Sequence, residues 1–150
     1  MSDPHVLGPD LAPTPFTADE IRAGCADGHR LLVRTQLGGR HTFHTDTFGA
    51  GDDDGCELTQ VVTDASGTPV DEPRVSRVTW HELQAHAAFP AAATTVARER
   101  IRLAVGERDC LRYDVRRGSG TSTFWFALDH PGMPLRYESA GALVEVVAIE

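Results

Sequence analysis

Three residues stand close enough along the chain to do acid–base chemistry together: His41, His44 and Asp46. Read at a period of two, Thr42, His44 and Asp46 share one strand face, and His41 and Phe43 share the other. An imidazole beside a carboxylate is an oriented general acid–base pair, which makes His44 and Asp46 the candidate catalytic residues. The same two side chains are also two of the three ligands that a catalytic metal needs, with His81 or His86 as a source of the third. The competing reading is a polar strand facing solvent. His81 and His86, five apart on a helix, point in different directions, whereas Glu82 and His86, four apart, make a surface pair. No HExxH spacing occurs, and neither a metal nor a cofactor is expected.

Arg98, Arg100 and Arg102 line one face of a further strand, and with Arg34 or Arg112 they could bind a carboxylate or phosphate. Glu99 and Glu107 compete for the same guanidiniums as cross-strand ion pairs. Asp52-Asp53-Asp54-Gly55 lacks the spaced acids and the bidentate glutamate of a calcium loop and reads as a solvated turn. Gly118-Ser119-Gly120 is a hairpin loop, since the G-x-S-x-G of a nucleophile elbow is missing. Cys110 alternates with Leu111 and Tyr113 and is expected to be a buried or half-buried thiol.

All 14 basic residues are arginine, and the chain has neither lysine nor asparagine. That removes Schiff-base catalysis, a Walker-type phosphate loop and N-glycosylation. Against 22 acids the formal charge is −8, so phosphate backbones and anionic bilayers are repelled and no nucleic-acid partner is expected. No basic-then-apolar segment opens the chain, which predicts no secretory signal and no transmembrane span. Cys25, Cys56 and Cys110 form no CxxC pair, and reduced thiols in a cytoplasmic protein are the expectation.

The elements that must position these residues follow from periodicity. With 150 residues, one domain is expected, its core built without disulfides. Residues 1–15, with four prolines, predict an extended, poorly ordered arm, and 16–150 the domain. Thr17-Ala-Asp-Glu20 is a capping box that starts a short helix, which Gly24 and Gly28 end. Period-two segments then run from His29 to about Phe48, with Gly38-Gly39 as the hairpin turn, and over Cys56–Thr63 and Val75–Thr79. A second capping box, Thr79-Trp-His-Glu82, starts a helix expected over Trp80–Phe89, before Pro90. Strands follow over Thr94–Val105, Asp109–Arg116, Thr121–Leu128, Met133–Glu138 and Ala142–Ile149. The fold class is α+β: a single curved antiparallel sheet of about eight strands, a half β-barrel, wrapping one main helix.

Gly106-Glu-Arg-Asp-Cys-Leu-Arg-Tyr-Asp-Val115, Thr123-Phe-Trp-Phe-Ala127 and Pro131-Gly-Met-Pro-Leu-Arg-Tyr137 cover roughly the last 50 residues. This stretch resembles the closing strands of bacterial proteins related to the lipoprotein-localisation half-barrels. The resemblance implies a curved antiparallel sheet that holds a helix and an apolar cavity for acyl chains.

One helix is too little to cover so broad a sheet, which leaves an apolar pocket. Trp80, Leu83, Phe89, Phe124, Phe126 and Tyr137 are the side chains expected around a ligand, with Arg100 from the arginine face. Three functions follow, in this order. The first is a non-enzymatic domain binding an apolar or amphipathic small molecule such as an acyl chain. The second is a small enzyme using His44 and Asp46 in the same pocket. The third is an interaction module whose edge strands pair with a partner chain or, as a homodimer, with a second copy.

Overall fold

The computed structural model describes residues 3–150, so residues 1–2 of the expected arm lie outside the described residues. The alternating segments form nine strands: β1 (Arg30–Leu37), β2 (Arg40–Gly49), β3 (Gly55–Thr63), β4 (Arg74–Thr79), β5 (Thr94–Leu103), β6 (Gly106–Arg117), β7 (Gly120–Ala127), β8 (Arg136–Ser139) and β9 (Ala142–Ile149). They make one antiparallel sheet in the order β4-β3-β2-β1-β9-β8-β7-β6-β5. β4 and β5 are its edges and do not pair with each other, so the sheet is not closed. The β1–β2 turn places Gly38 and Gly39 at φ of 56° and 79°, the left-handed pair that a tight hairpin requires. Among the described residues no helix is long and apolar enough to cross a membrane.

Topology explains where the helices sit. β4 and β5 are consecutive in the chain but lie at opposite edges, so residues 80–93 must cross the sheet. That crossing begins with α2 (Trp80–Ala85), which packs against α1 (Ala18–Gly24). Both capping boxes are complete: Thr17 and Thr79 accept from the amides of Glu20 and Glu82, whose carboxylates accept in return from the cap amides. The helix expected over Trp80–Phe89 is corrected, because it ends at Ala85. The amides of Ala87 and Ala88 bond three residues back, to Gln84 and Ala85, which tightens and ends the helix. Phe89 then leaves the helix axis and accepts a backbone hydrogen bond from Ala12. In place of one main helix, the cover consists of two short helices and the N-terminal segment.

Gln84 ties these pieces together and is 3% exposed. Its carbonyl accepts from the Ala18 amide at 2.9 Å, and its amide donates to Pro4 O at 2.8 Å and Thr14 Oγ1 at 3.0 Å. Substituting Gln84→Leu takes this partner from the partly buried Ala18 N–H and Pro4 carbonyl and from the buried Thr14 hydroxyl. It is expected to cost about 2 kcal/mol, measured as a lower urea midpoint at unchanged slope.

One face carries Leu31, Val33, Val146, Phe126, Tyr113 and Val115, all buried in a continuous core that also includes the helix residues Ile21 and Trp80. On β7 the alternation fails, since Thr123, Trp125 and Ala127 on the opposite face are buried as well. The reason is the β5–β6 turn, which reaches over β7 and β8 so that Ala104 N donates to Glu145 Oε2 on β9 at 2.8 Å. Beneath it, the Trp125 ring lies between the guanidiniums of Arg112 and Arg136, at 5.6 and 5.2 Å from its centre.

Candidate functional site

Between the inner sheet face and the two helices lies a cavity of about 380 Å³. Ile21 of α1 and its C-cap residue Cys25 close one side, and Leu83, His86, Ala87 and Phe89 close another. Phe48, Leu58 and Val78 come from β2–β4, and Phe124, Phe126 and Tyr137 from β7 and β8. Gly132, Met133 and Pro134, in the β7–β8 loop, complete the wall. That loop is seated by α1: Gly24 has no Cβ, and one placed there would stand 2.9 Å from the Pro131 carbonyl oxygen. On the aromatic side Phe89 stacks on Phe124 at 4.8 Å, and Phe124 on Tyr137 at 5.5 Å.

Polar groups are few and gathered. Asp46 and Gln60 face each other across β2 and β3 in direct register, and Gln60 Nε2 donates to Asp46 Oδ1 at 3.0 Å. His44 Nε2 lies 3.5 Å from Asp46 Oδ2. Asp46 lines the cavity with its side chain 8% exposed, while His44, 33% exposed, stands beside the wall and outside it. The expected acid–base pair is therefore adjacent in space, but only its acid reaches the cavity. Among the described residues no three His, Cys, Asp or Glu side chains are grouped to hold a metal ion. Burial pushes the Cys25 thiol up to about 12, so this wall residue offers no thiolate nucleophile.

Of the expected ligand residues, Leu83, Phe89, Phe124, Phe126 and Tyr137 line the cavity. Trp80 is buried elsewhere, its indole N–H donating to Asp52 O at 2.8 Å. It thereby holds the acidic turn, where Asp52 accepts from the amides of Asp54 and Gly55 and pairs with Arg77. Arg100 stands exposed on the edge strand β5, paired with Asp109 at 3.2 Å and Glu107 at 3.6 Å, away from the cavity. Arg102 and Arg112 also pair with glutamates.

Sequence reasoning missed Phe48, Leu58 and Gln60. They share the Asp46 face, and strand register would have found them: Phe48 is opposite Leu58, as Asp46 is opposite Gln60. It also missed His29 and His130, 101 positions apart, whose Nε2 atoms meet at 2.9 Å. No local pattern signals such a pair.

The open antiparallel sheet with its two short helices has solved counterparts in overall fold. The crystal structure of MucB matches over 87% of this chain with a TM-score of 0.57 and 12% identity. MucB in complex with MucA(peri) matches over 89% with a TM-score of 0.55, again at 12% identity. The chain spans about half the length of these structures, 55% and 53%. At this identity the likeness concerns the fold alone. No family model matches the chain, and no curated protein matches it.

Proposed function

We propose that this chain is a binding module that holds an apolar or amphipathic small molecule between its sheet and its helices. The observation that carries the reading is the cavity of about 380 Å³, within the range of small-molecule sites and walled mostly by apolar side chains. Its shape is supported by the reach of the chain. Laid flat, the nine strands would put β4 and β5 about 38 Å apart, whereas residues 80–93 with their helical turns reach about 32 Å. A short crossing of this kind supports a sheet that curves, as in a half-barrel, and a concave face covered by short helices leaves room for a guest.

Native mass spectrometry of the protein purified without detergent, followed by titration with octanol, tests the reading. A bound adduct or saturable octanol binding is expected. Ala87→Phe, which places a ring in the cavity from its wall, is expected to weaken octanol by about tenfold, the cost of excluding about two methylenes. A protein with no adduct and no saturable binding would overturn the proposal.

A second reading is favoured by the sheet edge. β4 is unpaired on its outer side and exposes Val75 (61%), and the adjoining segment exposes Val70 (63%). One of the two matching MucB structures is a complex with MucA(peri). Such an edge can add a strand from a protein partner or a second copy. Sedimentation at several concentrations separates self-pairing from the monomeric binding module.

A further inference from the structure

We propose that the cavity selects its amphiphile by a cationic, hydrogen-bond-donating head group, so that an alkylamine is preferred to a fatty acid, through Asp46. This rests on the cavity being a ligand site, as argued above. Asp46 is the only acid among the lining residues, and no arginine stands among them. With 8% of its side chain exposed, it sits among apolar groups, where an uncompensated carboxylate is costly.

Its compensation is incomplete. A carboxylate offers about four acceptor sites. Oδ1 receives one neutral amide hydrogen bond, from Gln60 at 3.0 Å. Oδ2 faces His44 Nε2 at 3.5 Å, longer than a good hydrogen bond. His86 and Tyr137 are the other side chains of the lining that carry hydrogen-bonding groups, beside the Cys25 thiol. An ammonium brings three donors and the opposite charge to that corner, while its alkyl chain occupies the aromatic side.

A fatty acid would set a second carboxylate against the first in the same poorly hydrated space. The lining itself supplies no guanidinium to offset it. Arg100 is paired on the β5 edge, and Arg117 covers the rings of Phe89 and Phe124 at 5.8 and 5.7 Å from outside the lining. The ligand class that the sheet's apolar wall permits is thus narrowed by one side chain to amines and, less tightly, alcohols.

Calorimetric titration of the full chain at neutral pH with octylamine, octanol and octanoate tests this, since the three differ only in the head group. The expected order is amine, then alcohol, then carboxylate, with about tenfold or more between the first and last. Asp46→Asn keeps the shape and an acceptor for Gln60; it is expected to lower octylamine affinity about tenfold and to leave octanol within about twofold. Octanoate binding as tightly as octylamine would sink the proposal, as would an amine-to-alcohol ratio that Asp46→Asn leaves unchanged. Octanol binding with no amine preference removes the head-group assignment and spares the cavity. Failure of all three to bind removes both. If Asp46→Asn does not fold, the ranking on the unmodified chain decides alone.

Discussion

Replacing Tyr113 with alanine is expected to destabilise the fold by about 4 kcal/mol, the usual cost of deleting a large buried aromatic side chain. Tyr113 is 2% exposed and is the largest of the fully buried side chains. Its ring meets Phe126 edge-on at 5.4 Å and Phe89 at 5.9 Å, so the loss opens a void behind two walls of the cavity. Its hydroxyl donates to the Pro13 carbonyl at 2.6 Å and fastens the N-terminal segment to β6. Burial pushes this phenol up to about 12, which keeps it protonated as a donor across the working pH range. Tyr113→Phe separates the two contributions: it keeps the ring and strands one carbonyl, at about 1 kcal/mol. Urea denaturation of the two variants checks both values. A loss below about 2 kcal/mol for Tyr113→Ala would mean that the aromatic cluster does not hold the cavity in shape.

Much of this architecture is written in local patterns. Thr17 with Glu20, and Thr79 with Glu82, specify helix starts because each pair satisfies two orphan amides within four residues. Gly38-Gly39 specifies a turn because both positions need positive φ. Alternation specifies antiparallel strands in the right places, and the aromatic residues Phe89, Phe124, Phe126 and Tyr137 are legible as a group because they recur on one strand face or next to a helix.

What was not legible depends on pairings between distant segments. The helix from Trp80 stops at Ala85 because Phe89 is drawn to Ala12, and nothing in the local spacing announces that partner. Trp125 is buried on a face that alternation assigns to solvent, since the β5–β6 turn folds over it to Glu145. Asp46 and Gln60 become one polar corner only once β2 and β3 are in register, and a shift of one residue would turn Asp46 away from the cavity. Arg100 is the reverse case. Its residue type suits an anion, but the strand that carries it is an edge, where Asp109 and Glu107 neutralise it. Side-chain chemistry is thus readable in the chain, while the company it keeps is set by topology.

Acidification from about pH 7 to about pH 5 is expected to destabilise the protein through His29 and His130. Their Nε2 atoms lie 2.9 Å apart, a distance at which one ring must donate and the other accept. Both can be neutral, or one can carry a proton, but two imidazoliums would set N–H against N–H. Burial lowers the His29 pKa, and its ring stacks on Phe48 at 6.0 Å. For His130, burial is again the main cause, with His29 and Arg108 lowering the pKa further and Asp129 opposing them. In the unfolded chain both rings regain an ordinary value of about 6.5. The stability is therefore complete above that value. It is lost as pH falls, because the unfolded state takes up protons that the folded state resists. Each group contributes at most about 1.4 kcal/mol per pH unit, and the partly exposed His29 contributes less than His130. Thermal melts across this window should fall for the natural chain and flatten for His130→Gln, which titrates no longer. Equal slopes for the two would place the acid sensitivity elsewhere. His130 belongs to the loop that brings Gly132, Met133 and Pro134 to the cavity, so loosening it should release an octanol probe before the sheet unfolds. Octanol affinity that fell at a higher pH than the melting temperature in the natural chain, but not in His130→Gln, would place the first acid-induced change in this loop.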